Sequence, residues 1–299
     1  MEPPAKKIRP YVTKRERRKA AEKSHDISYE EPTLKDAKDL FITDETVLEY
    51  QDRLFKSTLP RKVVKTLSVS ESPVWCVQWC PKFSHLIAAT CGDTLKLFDV
   101  MKSEEITNVL NIKHTSKFRC CDWSRTSRQL TTCSFDGTIN IYDFQNFGKI
   151  SDTLNVDTQP TAIHWWKGED NKVLVGGDNS FLASYDLKSG KEIAKYKFKC
   201  GKILAVEFFT DGNFFVASSD EVNRQSAEHN LIVWDLRMGA KISTQIFHER
   251  YTCPCIRAHP SGANFLAQTT GNYIARFSTQ KPYRLDKFVR YQNHTVRRN

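Results

Sequence analysis

The chain has 299 residues, of which 39% are hydrophobic, and a formal net charge of +10 at pH 7. This length and apolar content suffice for one large domain or two small ones. No stretch reaches the ~20 consecutive apolar residues of a membrane-spanning helix, and the first residues lack the apolar core of a secretory signal. Nine cysteines, an odd number, lie mainly in apolar runs and so favour reduced core residues over a disulfide framework. We therefore expect a soluble intracellular protein.

The first 66 residues lack the pattern of the rest of the chain and begin with a dense basic cluster. The members of the cluster that we consider for binding are Lys6, Lys7, Lys14, Arg15, Arg17, Arg18 and Lys19. The surrounding composition favours helix but offers no apolar face wide enough to bury, which predicts a partly disordered arm. Dense positive charge suits a nuclear import signal or a contact with RNA, and the other alternative is a solvated tail.

The next segment, from Asp26 to Asp52, is acidic. Apolar residues recur there at roughly helical spacing: Leu40, Phe41, Val47, Leu48, Leu54 and Phe55. This spacing predicts a short amphipathic helix that docks on the rest of the chain or on a partner.

From residue 67 onwards, two sequence marks recur together. One is an apolar ending: LKLFD at Asp99, INIYD at Asp143, LASYD at Asp186, LIVWD at Asp235 and the weaker IARFS at Ser278. The other is an alternating segment that ends at Trp79, Trp123, Trp165, Phe208 and Ala258. Successive marks lie 42–50 residues apart, and the polar insertion EVNRQSAEHN, a predicted surface loop, explains the long interval between the endings at Asp186 and Asp235.

Between the marks lies a third apolar run followed by a turn signal such as Gly92-Asp93 or Asp136-Gly137. Each unit thus holds three strands and a fourth, more polar one. Four strands per ~40–45 residues with a Trp-Asp ending are the signature of a WD-repeat β-propeller blade. We predict an all-β fold with five blades, at about 67–109, 110–152, 153–194, 195–243 and 244–292, and a tail at 293–299. The predicted repeat-end residues are Asp99, Asp143, Asp186, Trp234 and Asp235.

The second unit resembles the WD-repeat family most fully. Its His114, Ser134, Asp136 and Tyr142 stand where the family places a hydrogen-bonded structural set. The rival interpretation is a Ser-His-Asp hydrolase, but the chain has no G-x-S-x-G nucleophile elbow. We interpret the four residues as structural and assign no catalytic residue.

Other constellations favour structural roles as well. Cys253-Pro254-Cys255 and Cys120-Cys121 lack the spacing and second ligand pair of a zinc site. Trp165-Trp166 could stack on bases, but one core and one surface tryptophan is the preferred interpretation. No Gly-rich phosphate loop is present, so we predict no metal, no cofactor and no small-molecule substrate.

Four stretches resemble a narrower group, that of pre-mRNA-processing factor seventeen and WD repeat-containing protein twenty-five: RPYVTKRERR, LIVWDLRMG, IRAHPSGANFLAQTTGNYIARFS and YRLDKFVRYQNH. The resemblance implies seven blades, whereas RYQNH, where a sixth should begin, is followed only by TVRRN. It therefore predicts an open ring with two exposed blade faces, as in a truncated splice product or an incomplete gene model. There are two alternatives: a partner chain closes the ring, or the chain closes as a tighter five-bladed ring.

Together these features predict a non-enzymatic nuclear or cytoplasmic scaffold that binds proteins or a ribonucleoprotein complex, associated with splicing and not with a membrane. The alternatives are RNA binding through the basic arm and a truncated isoform without independent function. Catalysis is a third hypothesis, unsupported by any site.

Overall fold

The computed structural model describes residues 66–67, 71–100, 108–144, 148–169, 171–196, 201–220, 230–244, 246–249, 251–292 and 294–296. The basic arm, the acidic segment and nearly all of the insertion EVNRQSAEHN lie outside these residues, so the expectations for them stay predictions. Within the described ranges, no helix has the length and apolar character needed to span a membrane.

Twenty strands form five antiparallel sheets of four, each sheet built from strands consecutive in the chain. The first blade contains β1 (Val74–Trp79), β2 (Leu86–Cys91), β3 (Thr94–Asp99) and β4 (Asn108–Lys113). The second contains β5 (Phe118–Trp123), β6 (Gln129–Ser134), β7 (Thr138–Asp143) and β8 (Lys149–Asn155). The third contains β9 (Pro160–Trp165), β10 (Lys172–Gly177), β11 (Leu182–Asp186) and β12 (Lys191–Lys195). The fourth contains β13 (Ile203–Phe208), β14 (Phe214–Ser219), β15 (Leu231–Asp235) and β16 (Ala240–Ser243). The fifth contains β17 (Cys255–Ala258), β18 (Asn264–Gln268), β19 (Ile274–Ser278) and β20 (Leu285–Tyr291).

This architecture confirms the predicted all-β fold of five four-stranded blades. Three of the predicted blade boundaries, after residues 109, 152 and 194, fall inside β4, β8 and β12. In the second and third blades the last strand is the least buried one, as the mostly exposed residues of β8 and β12 show. A solvent-facing strand carries few apolar residues, so its end leaves little trace in the sequence.

Tight turns join the second and third strands of the first and second blades, and glycine makes both of them possible. Gly92 and Gly137 have φ angles of 54° and 88°. A Cβ atom on Gly137 would come within 2.5 Å of the carbonyl oxygen of Val156. A side chain is therefore excluded there by both backbone conformation and space.

The hydrophobic core consists of clusters between adjacent blades. Leu86, Leu97 and Leu110 of the first blade pack with Trp123 and Phe144 of the second. Equivalent clusters join the second blade to the third, the third to the fourth and the fourth to the fifth. Among the described residues, no such cluster joins the fifth blade to the first.

Candidate functional site

The first strand of each blade carries a polar residue just before its last position. These residues are Gln78, Asp122, His164, Glu207 and Arg257. Four of the five are ionisable, and the contacts below join Asp122, His164, Glu207 and Arg257 into one network across four blades. We call these four residues and Lys167 the inner polar cluster.

His164 lies at the centre of this cluster, between two carboxylates. Its Nε2 atom is 3.0 Å from Oε2 of Glu207, and its Nδ1 atom is 3.4 Å from Oδ2 of Asp122. The same Asp122 oxygen accepts a hydrogen bond of 2.8 Å from the backbone N–H of Trp165. One imidazole thereby connects the second, third and fourth blades.

Two further cations converge on Glu207, whose side chain is buried. The Lys167 ammonium lies 3.4 Å from Oε1, and a guanidinium nitrogen of Arg257 lies 3.4 Å from Oε2. Lys167 also donates a 2.8 Å hydrogen bond to the carbonyl oxygen of Phe208. The Glu207 carboxylate is thus shared by His164, Lys167 and Arg257.

These contacts shift the pKa values within the cluster. Burial alone would lower the pKa of His164, but the charges of Asp122 and Glu207 outweigh it and raise the pKa to about 9. Burial alone would raise the pKa of Glu207, but the charge and hydrogen bond of His164, with Lys167 and Arg257, lower it to about 2. For Asp122, burial prevails over the attraction of His164 and raises the pKa. At neutral pH, His164 is therefore a cation.

The cluster makes stability depend on pH. The folded pKa of His164, about 9, exceeds its ordinary value of 6.5. Its stabilising contribution is therefore fully present below pH 6.5 and is lost as pH rises through 9. A difference of this size corresponds to about 3 kcal/mol. We expect the melting temperature to fall between pH 6.5 and 9, measured by circular dichroism.

On the acid side, the lowered pKa of Glu207 gives stability above pH 4.5 that is lost as pH falls towards 2. The raised pKa of Asp122 has the opposite effect on stability.

The control for this prediction is His164→Gln, which keeps hydrogen-bonding atoms but does not titrate. Its melting temperature should vary less than that of the native chain between pH 6.5 and 9. Other groups titrate in both proteins, such as the Cys76 thiol, whose pKa a hydrogen bond with Cys121 lowers to about 7. Parallel curves for the two proteins would contradict the assignment of the alkaline transition to His164.

The predicted structural set of the second blade lies near the junction with the first. Nδ1 of His114 is 4.0 Å from Oδ2 of Asp136, and the same nitrogen lies within 3.2 Å of both backbone polar atoms of Ser116. Ser134 and Tyr142 are fully buried in the same sheet. The structure gives no hydrogen bond from Ser134 to His114, so the four-membered network stays a prediction.

The repeat-end aspartates lie at the last position of the third strand of their blades. Asp186 accepts hydrogen bonds from the Lys188 backbone N–H at 3.1 Å and the Ser189 hydroxyl at 2.7 Å. Asp235 accepts hydrogen bonds from the backbone of Arg237 and Met238. Both carboxylates hold the turn into the fourth strand. Asp99 is buried, and Asp143 lies opposite Gln129 in the register of the neighbouring strand β6. The ring of Trp234 stacks on that of Phe215, with 6.2 Å between the ring centres.

The remaining motifs lie on separate elements. Trp165 is buried, whereas Trp166 is half-buried and donates its indole N–H to the carbonyl oxygen of Gly212 at 2.6 Å. Cys253 is buried and Cys255 is exposed. Among the described residues, no three His, Cys, Asp or Glu side chains come together as metal ligands.

Strand β1 differs from the equivalent strands in its exposed apolar side chains. Trp123 and Trp165 are 4% and 3% exposed, and each donates its indole N–H to a carbonyl oxygen of the preceding blade, that of Gln78 or Asp122. Trp79 holds the same position in the first blade and is 56% exposed, and Val77 is 50% exposed. The open ring with two exposed blade faces stays a prediction.

The sequence is similar to known repeat proteins. The family described as WD domain, G-beta repeat, matches residues 61–99 and 107–143. WD repeat-containing protein 25 of Mus musculus is 35% identical over 244 residues, which cover 81% of this chain and 45% of the relative. Pre-mRNA-processing factor 17 of Saccharomyces cerevisiae is 23% identical over 245 residues, covering 81% and 52%, and that of Homo sapiens is 22% identical over 244 residues, covering 81% and 41%.

The chain spans about half the length of these curated relatives. The matched repeats, the five four-stranded sheets and the similarity over most of the chain confirm the resemblance stated from the sequence. The chain contains WD repeats, folds into five four-stranded propeller blades and is similar to WD repeat-containing protein 25 and pre-mRNA-processing factor 17.

Proposed function

We propose that this protein is a non-enzymatic scaffold that holds protein or ribonucleoprotein partners and is associated with pre-mRNA splicing in the nucleus. The observation that carries the proposal is the similarity over 81% of the chain to proteins named pre-mRNA-processing factor 17. The exposed apolar strand β1 supports it physically, because half-exposed tryptophan and valine side chains on a sheet face are typical of contact surfaces.

The arrangement of polar residues favours binding over catalysis. In the inner polar cluster, the Glu207 carboxylate already pairs with three cations, and the His164 ring contacts two carboxylates. In the second blade, Ser134 is fully buried, so a substrate could not reach its hydroxyl. A nucleophile and base need an accessible reacting atom between them, and neither group offers one.

Affinity purification from nuclear extract tests the proposal. The tagged full chain should recover splicing proteins and small nuclear RNAs, and the protein part should persist at moderate salt and after ribonuclease treatment. Protein contacts release fewer counterions than phosphate contacts, so they weaken less as salt rises. Recovery equal to that of an unrelated WD-repeat protein would contradict the splicing association.

The second candidate function, RNA binding through the arm, is favoured by the basic cluster at residues 6–19. A variant that replaces Arg15, Arg17, Arg18 and Lys19 by alanine separates the two. If the arm carries the function, recovery should be lost in this variant and should fall steeply with salt in the native chain. If the blades carry it, the variant should recover the same proteins as the native chain.

A further inference from the structure

A half-open cavity of about 340 Å³ lies between the third and fourth blades. Leu174, Ser184 and Ala194 line it on the third blade, and Phe208 and Leu236 line it on the fourth. This volume is at the lower end of the range for small-ligand pockets, which is roughly 300–1,000 Å³.

Comparison with the first blade explains why the cavity exists there. Two residues before the repeat-end aspartate, the first blade has Leu97 and the third has Ser184. In the neighbouring fourth strand, Leu97 pairs with Leu110, whereas Ser184 pairs with Ala194. The third blade therefore has the small side chains of serine and alanine where the first blade has two leucine side chains.

The fourth blade, which forms the other wall of the cavity, also has smaller side chains than its counterpart, the second blade. Trp123 ends β5 and Phe144 follows β7, and their rings lie 5.0 Å apart in the cluster that joins the first two blades. The equivalent positions of the fourth blade hold Phe208 and Leu236. Four matching positions thus carry smaller side chains at one interface, and an apolar space left unfilled destabilises a fold.

The lining also carries positive charge. Lys172 and Arg237 line the cavity together with the aromatic ring of Trp166. Lys172 lies 4.5 Å from the centre of that ring and pairs with Glu169 at 2.7 Å. Among the described residues, no carboxylate pairs with the exposed Arg237 guanidinium. One wall strand, β12, also exposes half of the Ile193 side chain. The cavity therefore combines apolar walls with cations.

We propose that this cavity binds a bulky apolar side chain from a linear acidic peptide of a partner protein. The apolar side chain occupies the space that leucine and tryptophan side chains fill between the first two blades. Carboxylates on either side of it pair with Arg237 and Lys172, as charge complementarity requires. The proposal rests on the proposed scaffold function, and it adds the chemistry of one partner segment.

Fluorescence anisotropy with a labelled probe peptide, acetyl-Glu-Asp-Trp-Asp-Glu-amide, and the purified full chain tests this site. Ala194→Leu restores the side chain of the first blade and should weaken binding about tenfold while raising the melting temperature, because it fills the cavity. Arg237→Glu should weaken binding by a similar factor through charge repulsion. Lys287→Glu makes the same charge change on an exposed position of the fifth blade and should leave binding unchanged.

Three results would overturn the proposal: no binding of the probe, equal binding of a peptide with lysine in place of each acid, or equal binding by Ala194→Leu. If circular dichroism shows Ala194→Leu to be unfolded, Arg237→Glu decides, because its side chain is exposed. If only the peptide test fails, the peptide site is contradicted and the proposed scaffold function is unaffected. If only the affinity purification fails, the splicing association is contradicted and the peptide site is unaffected.

Discussion

Glu207→Ala is expected to lower the free energy of unfolding by about 3–5 kcal/mol, the range found when one partner of a buried ion pair is removed. The substitution removes the carboxylate that pairs with His164, Lys167 and Arg257. Of these three cations, His164 is the most buried, and it would keep only Asp122 as its anionic partner. Urea denaturation followed by tryptophan fluorescence measures the change.

Glu192→Ala is the matched control for this variant. Glu192 also pairs with a lysine, since the Lys195 ammonium lies 3.0 Å away, but both side chains are solvent-exposed on the outer strand β12. An exposed pair of this kind contributes about 0–1 kcal/mol. Equal losses for the two variants would show that the inner polar cluster has no special part in stability.

The second large effect is expected at the tryptophans that end the first strand of each blade. Trp165→Ala should cost about 3–5 kcal/mol, because the indole is buried between the second and third blades. The change also removes a 3.1 Å hydrogen bond from the indole N–H to the carbonyl oxygen of Asp122. Thermal and urea unfolding of the purified variant would show the loss.

The same substitution at Trp79 provides the comparison, because it changes the same residue type at the same register of the first blade. Because Trp79 is 56% exposed, Trp79→Ala should cost less than half as much stability as Trp165→Ala. A loss as large as that of Trp165→Ala would mean that Trp79 is covered in solution. Sedimentation velocity would then show whether a second copy of the chain covers it.

The blades could be predicted from the sequence because each blade repeats its apolar pattern and its ending at nearly constant spacing. The endings at Asp99, Asp143 and Asp235 each close the third strand of a blade, as the aligned sequence predicts. Alternation also predicts burial well at the ends of β5 and β9, where Trp123 and Trp165 enter the core. Alternation does not predict the exposure of Trp79. That exposure depends on whether another blade packs against the first strand, and a local sequence pattern carries no information about neighbouring blades.

The inner polar cluster was missed for a different reason. Asp122, His164 and Glu207 are 42–43 residues apart and chemically different, so no motif of fixed spacing contains them. The signal was available in the aligned repeats, since each residue stands directly before the aligned mark at the end of the first strand. The cavity also requires a comparison between blades, because only side-chain size distinguishes Ser184 and Ala194 from Leu97 and Leu110.

The differing residues in the first strands bear on how the chain avoids misassembly while it folds. Proteins built from similar units can join the wrong units or exchange units between chains, and blades with one common inner residue would offer many equivalent partners. Here His164 of the third blade pairs with an acid on each of the two neighbouring blades. Glu207 of the fourth blade likewise pairs with a cation on the third blade and with one on the fifth. A blade docked beside the wrong neighbour would bring like charges together or bury an ion without a counterion. The cluster thus distinguishes the second, third, fourth and fifth blades from one another and favours one order of assembly.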